Sequence, residues 1–358
     1  MLQIAAALGI VAFHVGIRHS HAGWIAVELF FVMAGMNMAR SIERDASIGS
    51  YAIGRIRRLG PMILVVWGAT VVFIAAGYGT SGMLWFVATA PVFAQNLTLA
   101  LFHYIMPNDW VFGPLWFVGA LLQLQLVLFL ARRVLVKIRP AVLVALCVTG
   151  GVLFRLLLAK IVGDDAQTLS AFQGDVLYCL PFTHLEAIVL GLLVGRGALP
   201  QLGRFSPCLA VVVLALDASV GLEFPLRLNF AHVWGYSVLA FAAASLCSPN
   251  GWPAVAVDRL RAPGWLDALV FKLSSLTYGA YAFHGLIMST GLSIALLAPF
   301  NYPQGFGLYF AVTVVQSFLI AWMFDFAFRG LEERRTSPLP SGSPAYAHPS
   351  GWTEDRSH

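Results

Sequence analysis

Charged residues are scarce in this sequence. Asp, Glu, Lys and Arg make up 11% of the 358 residues, whereas a soluble domain carries roughly 25%. Hydrophobic residues make up 59%, so too little charge is left to cover a water-facing surface. Apolar runs of bilayer length recur along the whole chain. This pattern excludes a soluble globule, a disordered chain and a fibrous repeat, and it predicts an all-α, polytopic membrane protein.

The sequence also lacks the signatures of several binding classes. Its four cysteines are far apart and form no CxxC pair, so neither a disulfide framework nor a zinc site is indicated. His19 and His21 form a weak metal signal, and we predict no bound metal. Gly-rich phosphate loops of the P-loop or Rossmann type are absent. The net charge of +5 is typical of basic membrane loops, so we expect no nucleic-acid partner.

About ten segments are long enough to cross a bilayer. They define one membrane domain over residues 1–330, and the polar residues 331–358 are expected to form a disordered tail. Residues 78–112 are apolar but broken by proline and asparagine, which favours an interfacial or re-entrant stretch. The predicted spans cover residues 2–17, 24–39, 61–77, 113–131, 140–159, 180–195, 207–221, 230–248, 272–297 and 305–328.

The distribution of basic residues predicts the orientation. If the N-terminus is cytoplasmic, most of the 22 Lys and Arg residues fall in cytoplasmic connections, in agreement with the positive-inside rule. An even number of spans then also places the C-terminus inside. We therefore expect both termini in the cytoplasm.

Two ionisable residues lie near the outer ends of the first two predicted spans. His14 and Glu28 flank one short extracytoplasmic turn, so both can lie at the same depth. Polar groups in the membrane are costly and are functional candidates. A histidine held by a carboxylate is a general-base arrangement. The structural alternatives are a histidine that caps a helix at the interface and a buried carboxylate bonded to another neighbour.

Arg55, Arg57 and Arg58 form the densest basic cluster. They are either ordinary positive-inside charge or a clamp for the phosphates of a cytoplasmic anion, which arginine binds through two parallel hydrogen bonds. The ninth span repeats polar residues at spacings of three and four, so they share one helix face. This face either packs against another helix or lines a cavity. It comprises Ser274, Ser275, Tyr278, Tyr281 and His284.

The fourth span carries a polar patch after Trp116, formed by Gln123 and Gln125. Four further charges lie within predicted spans, and we assign most of them to structural pairing. They are Arg155, Glu186, Asp217 and Asp325.

Five motifs occur in an order that resembles the membrane acyltransferase 3 family, the integral-membrane O-acyltransferases of bacterial envelopes. They are residues 5–14, which end in Phe-His; 27–35, which contain Val-Glu-Leu-Phe-Phe; 55–61, with Arg-x-Arg-Arg before Gly-Pro; 113–116 with Gln123; and 276–284, which end in Phe-His. The chain differs from the usual family pattern at Gln3, Ala34 and Leu121, where Arg or Lys, Ser, and Glu are typical.

The resemblance implies O-acetylation or a related transfer. An acyl group, most often acetyl, would pass from cytoplasmic acyl-CoA to a hydroxyl of an envelope polysaccharide or a small metabolite. Acyl-CoA would be a co-substrate, with no bound cofactor. The resemblance places the chain in the bacterial cytoplasmic (inner) membrane, in contact with the lipid bilayer. An esterase-like partner would be a separate envelope enzyme.

The resemblance also implies roles for individual residues. Arg55, Arg57 and Arg58 would hold the CoA phosphates. His14 would act as general base or carry the acyl group, and Glu28 would orient it. The other expected donor- or substrate-binding residues are Trp116, Gln123, Tyr278, Tyr281 and His284.

Two non-enzymatic hypotheses are open at this point. A transporter or flippase of a polar or lipid-linked substrate would need only a polar path through the membrane. A structural or regulatory membrane subunit would leave the ordered motifs unexplained.

Overall fold

The computed structural model describes residues 1–16, 23, 25–43, 47–78, 81–97, 115–162, 178–220, 231–260, 263–289, 291–297 and 307–336. Every regular element in these residues is a helix, which confirms the all-α prediction. The first group of helices is α1 (Leu2–Val15), α2 (Ala26–Ile42), α3 (Ile48–Phe73), α4 (Ser81–Thr89), α5 (Trp116–Leu130) and α6 (Arg132–Leu135).

The second group of helices follows residue 139. It comprises α7 (Pro140–Val162), α8 (Leu185–Gly195), α9 (Ser206–Val220), α10 (Tyr236–Cys247), α11 (Trp252–Leu260), α12 (Gly264–Ser289), α13 (Leu292–Leu297) and α14 (Gly307–Thr336). Short 3-10 turns lie at Ala90–Val92, Pro181–His184 and Leu202–Phe205, and π turns lie at Ile74–Tyr78 and Ala231–Gly235.

Local sequence explains several helix ends. Helix α1 stops at Gly16, which adopts the left-handed conformation with φ of 76° and closes the last turn through its N–H. Helix α3 begins after Ser47, whose side chain accepts a hydrogen bond from the Ser50 N–H at 3.1 Å.

Three helical stretches among the described residues are long and apolar enough to cross a membrane: Ile48–Gly77, Pro140–Ile161 and Gly307–Phe328. Shorter apolar helices accompany them at Leu2–Val15, Met83–Val92, Trp116–Leu130, Pro181–Gly195 and Leu202–Ala215. Long apolar helices are what a bilayer demands, because they satisfy their own backbone hydrogen bonds. The architecture is that of a membrane helical protein, and the number of about ten spans stays a prediction.

Helices α2 and α8 approach each other until their backbones touch. A Cβ atom on Gly35 would lie 2.0 Å from the Ile188 carbonyl oxygen, and one on Gly191 would lie 2.0 Å from the Val32 carbonyl oxygen. No larger residue fits at either position. Small residues at a membrane helix contact allow this close packing, and here it fixes the register between α2 and α8.

The buried residues form two large cores that share α5. One core joins α1, α2, α5, α8 and α10, and the other joins α3, α4, α5, α12 and α14. Residues on opposite sides of α5 belong to different cores: Phe117 and Leu121 to the first, Val118 and Leu122 to the second. A site formed by α1, α2, α3, α5 and α12 therefore lies where the two cores meet.

Arg155 on α7 ties this helix to α8 and α10. Its guanidinium is fully buried and binds both carboxylate oxygens of Glu186, at 2.7 and 2.8 Å. The remaining N–H groups donate to the Thr183 and Val233 carbonyls and to the Ser237 hydroxyl. The structure thus pairs two of the four intramembrane charges, Arg155 and Glu186, with each other. Asp325 likewise pairs with Lys272, at 2.9 Å.

Parts of the sequence predictions fall outside the described residues. They include residues 98–112, the polar loop 163–177, and the tail from residue 337 onward; the side chain of Asp217 is also not described. Helix α14 continues to Thr336, so the domain boundary expected after residue 330 lies inside this helix.

Candidate functional site

Two histidines meet where α1 packs against α12. The His14 ring lies in the last turn of α1, and its centroid is 5.1 Å from that of His284 on α12. His284 is completely buried, and His14 is half-buried. Within the described residues, the His14 ring also contacts Phe13 at 5.1 Å. We call His14 and His284 the histidine pair.

The hydrogen bond made by His284 fixes its tautomer. Its Nδ1 is bonded to the carbonyl oxygen of Tyr281, and a carbonyl can only accept, so Nδ1 carries the proton. In the neutral ring Nε2 then holds a lone pair. The structure gives this buried Nε2 no hydrogen-bond partner among the described residues. The histidine pair therefore contains one free, unprotonated ring nitrogen that can accept a proton.

Glu28 does not form the expected hydrogen bond with His14. Its Oε1 lies 2.5 Å from Nδ1 of His184, and both side chains are buried. The backbone contact between α2 and α8 explains this pairing, because it brings the first turn of α2 beside the 3-10 turn that ends at His184. The expectation that Glu28 bonds to His14 is therefore wrong in its geometry.

The partners of His184 show how many protons the pair holds. Its Nε2 lies 2.7 Å from the Tyr178 carbonyl oxygen, so Nε2 donates. Nδ1 and the Glu28 oxygen then share one proton, either as imidazolium and carboxylate or as neutral imidazole and carboxylic acid. The ring is clamped by Phe31, stacked at 4.4 Å, and by Trp116, at 5.4 Å. Glu28 and His184 thus form a buried pair with no net charge, which we call the Glu28–His184 unit. The hydrogen bond of Glu28 goes to His184 and not to His14.

His184 was not singled out from the sequence. It stands beside Glu186 at the start of an apolar run, and an ionisable residue in that position is a detectable signal. The run itself predicts only a span, and the partner of His184 lies 156 positions away in the sequence.

Three aromatic rings lie next to the histidine pair. Phe30, Phe117 and Tyr281 contact one another with centroid distances of 5.9, 5.7 and 5.4 Å, and Tyr281 also contacts His284 at 5.5 Å. We call these three residues the aromatic layer. Phe30 and Phe117 also line a cavity, so the aromatic layer separates this cavity from the histidine pair.

The cavity beyond the aromatic layer has a volume of about 270 Å³ and is called the central cavity below. Arg55 and Arg58 lie at it, together with Gln125 and Tyr278. Arg55 is held over the Tyr51 ring, with its guanidinium carbon 5.0 Å from the ring centroid. The three residues that differ from the usual family pattern, Gln3, Ala34 and Leu121, all line this one cavity.

A second cavity of about 500 Å³ opens between α3, α12 and α14. We call it the side cavity. Arg57 and Arg58 line it, and Arg58, Ser275 and Tyr278 are common to both cavities. The three expected phosphate-binding arginines therefore lie at two adjoining cavities, and Arg58 stands between them.

Two expected binding residues lie elsewhere. Gln123 forms a reciprocal amide pair with Asn96, at 3.0 and 3.1 Å, and donates to the Phe93 carbonyl at 2.9 Å. Trp116 is buried against His184 and Tyr178. Neither residue lines the central or the side cavity, and Gln125 takes the position at the central cavity instead.

Apart from Gln123, which pairs with Asn96, the expected site residues fall into three groups. Arg55, Arg57, Arg58 and Tyr278 lie at the cavities, and Tyr281, His14 and His284 form the adjoining aromatic layer and histidine pair. Glu28 and Trp116 belong to the buried surroundings of His184. Among the described residues, no group of three or more His, Cys, Asp or Glu side chains is placed to hold a metal ion.

Comparison with known families assigns the chain. No curated protein and no solved structure matches it. A family model described as an acyltransferase domain matches residues 1–322, which is most of the chain. The motifs at His14, Glu28, Arg55–Arg58 and His284 all fall inside that match. The protein therefore belongs to the acyltransferase 3 family and is a membrane acyltransferase.

Proposed function

We propose that this acyltransferase moves an acyl group, most often acetyl, from cytoplasmic acyl-CoA to a hydroxyl of an envelope glycan or small metabolite. It would act in the bacterial cytoplasmic membrane, with about ten spans and both termini in the cytoplasm. One observation carries this proposal. Arginines, a cavity, an aromatic layer and a histidine pair follow one another where α1, α3, α5 and α12 meet.

The arginine end suits the donor. Arg55 and Arg58 line the central cavity, and Arg57 adds charge at the side cavity. Arginine binds phosphate oxygens through paired charge-assisted hydrogen bonds. By the positive-inside rule this end faces the cytoplasm, where acyl-CoA is made available. The phosphates would stay at the arginines while the acyl arm enters the cavity.

The histidine pair suits the acceptor. His14 would take the proton of the acceptor hydroxyl as the hydroxyl oxygen attacks the thioester carbonyl. The new C–O bond forms, the C–S bond breaks, and the proton ends on the departing CoA thiolate. The free Nε2 of His284 supplies a neighbouring base for the same proton.

The aromatic layer lies between the acyl donor in the central cavity and the histidine pair, so the acyl group must cross it. A thioester in the central cavity must pass Phe30, Phe117 and Tyr281 to reach the histidine pair. His14 can reach the thioester only past these rings, so they must move whether His14 acts as a base or as an acyl carrier. As a carrier, its ring nitrogen attacks the thioester and CoA leaves as the thiolate; the acceptor hydroxyl then takes the acyl group from the imidazole, and its proton ends on the thiolate. In both routes the Glu28–His184 unit keeps α2 in place, and it is not the base.

The test is transfer of labelled acetyl by the purified protein. Labelled acetyl-CoA is added to proteoliposomes together with envelope glycans from a bacterial host, and base-labile label in the glycan is measured. Wild type and a Cys208→Ser control, which changes an exposed thiol on α9, should transfer label. The His14→Gln variant should not. Movement of a lipid-linked substrate by wild type without any labelled ester would support the flippase reading instead and overturn the proposal.

A further inference from the structure

Two residues that line the central cavity each carry a buried polar atom without a partner among the described residues. Gln125 is 3% exposed, and its side-chain carbonyl oxygen has no hydrogen-bond partner among the described residues. The Tyr278 hydroxyl on α12 is likewise buried and without a partner. Both residues line the cavity that Arg55 and Arg58 border.

Such atoms are uncommon, because buried polar groups in folded proteins nearly always have a partner. A neighbouring polar side chain at the same cavity obeys the rule. Thr277, which lines the same cavity, donates to the Ser274 carbonyl at 2.8 Å. The two partnerless atoms at the cavity are thus a feature to be explained by something that enters it.

The chemistry of the two atoms defines what they can bind. The Gln125 carbonyl oxygen only accepts a hydrogen bond, and the Tyr278 hydroxyl can donate one. An acceptor and a donor on one cavity match the N–H and the C=O of a single amide group. A phosphate would need donors only, and an alkyl chain would leave both atoms unsatisfied.

The position of the two atoms identifies the amide. Arg55 and Arg58 of α3 line the same cavity as Phe30 and Phe117 of the aromatic layer. In CoA, the pantetheine arm carries amides between the phosphates and the sulfur. We propose that Gln125 and Tyr278 bind an amide of the pantetheine arm of acyl-CoA, an inference that rests on the proposed function. The thioester then points toward the aromatic layer and the histidine pair beyond it.

Binding of three probes tests the inference. CoA, pantetheine alone, and adenosine bisphosphate as the nucleotide half of CoA are titrated against wild type, Gln125→Met and Tyr278→Phe. Each variant should bind CoA about three- to tenfold more weakly, the loss expected for one neutral hydrogen bond. Pantetheine should weaken by the same factor, and adenosine bisphosphate should bind as it does to wild type.

Thr183→Val is the matched control. It removes a side-chain hydroxyl that is also buried and without a partner among the described residues, and Thr183 lines neither cavity. It should bind all three probes like wild type. The melting temperatures of the variants, measured without ligand, show whether each one is folded.

The outcomes separate the inference from the proposed function. Wild type that does not bind CoA overturns both. CoA binding that weakens in Arg58→Gln but is unchanged in Gln125→Met and Tyr278→Phe leaves the donor proposal standing and overturns the amide site. If Gln125→Met or Tyr278→Phe weakens the binding of CoA and of adenosine bisphosphate equally, the amide site is also overturned. The substitution would then act by changing the packing around the cavity.

Discussion

Two regions of the molecule differ in whether their buried polar groups have hydrogen-bond partners. Between α7, α8 and α10, all five N–H groups of Arg155 have acceptors, and Ser237 also donates to Glu186 at 2.7 Å. Around the central cavity and the histidine pair, by contrast, Gln125, Tyr278 and His284 each keep a buried atom without a partner. The first region uses polar groups to hold helices together.

In the second region, the polar groups without partners are available to bind a substrate. A buried group without a partner lowers the stability of the fold by roughly 1–3 kcal/mol, and a folded protein has few kcal/mol in reserve. Such a cost is offset when a substrate supplies the missing partner. The contrast therefore distinguishes the Arg155 ionic network, whose charged atoms all have partners, from the residues around the cavity and the histidine pair.

The largest effect is expected from breaking the satisfied region. Arg155→Met leaves Glu186 buried without its cation, and removal of one partner of a buried pair costs about 3–5 kcal/mol. We expect little folded protein and a lower melting temperature in detergent. The double variant Arg155→Met/Glu186→Met should melt higher than the single one, because no unpaired charge is left. A single variant that melts like wild type would contradict the structural role.

The second effect concerns the histidine pair and should leave stability unchanged. His14→Ala and His14→Gln should each lower turnover by about 10²–10⁴, the range for loss of a general base. His14 is half-buried at the end of α1, so abundance and melting temperature should stay near wild type. Turnover and melting are measured on the same preparation. An active His14→Gln variant at normal abundance would remove His14 from the mechanism, because an amide cannot take the proton.

The fold class followed directly from the sequence. A chain with so little charge must satisfy its backbone internally in lipid, and helices do this locally. The arginine cluster and the polar face of α12 were also predictable, because Arg55, Arg58 and Tyr278 owe their position to helix spacing and charge.

Contacts between distant helices were not predictable in the same way. Glu28 and His14 flank one turn in sequence, yet the close approach through Gly35 and Gly191 turns Glu28 to His184. Gln123 and Gln125 are two residues apart and thus point to nearly opposite sides of α5. Only the packing of α5 decides that Gln125 faces the cavity and Gln123 faces Asn96.

A third and smaller effect is expected at the arginines. Arg58 borders both cavities, so Arg58→Gln should raise the KM for acyl-CoA by roughly tenfold or more, since a hydrogen bond to a charged group is worth about 1.5–3 kcal/mol. The KM for the acceptor should change less. Arg133→Gln, which changes an exposed arginine of α6, should leave both constants unchanged. If the two variants behave alike, the arginines at the cavities serve topology only.

The smallest effect should come from Glu28→Gln. The amide of glutamine can donate to Nδ1 of neutral His184 while Nε2 keeps its bond to the Tyr178 carbonyl, so the geometry survives without a shared proton. We expect a small change in melting temperature and turnover within about tenfold of wild type, because hydrogen bonds to charged groups are worth about 1.5–3 kcal/mol at most.

His184→Leu is the informative partner of this variant. It leaves both Glu28 oxygens buried without a donor, since Oε2 already has none among the described residues, and it should lower the melting temperature more than Glu28→Gln does. This asymmetry follows from a unit that holds α2 against the turn before α8. The contrary outcome is a Glu28→Gln variant of normal stability that loses as much turnover as His14→Ala. That result would place the Glu28 carboxylate in the chemical step. The Glu28–His184 unit would then belong to the site and not, like the Arg155 network, to the structural framework.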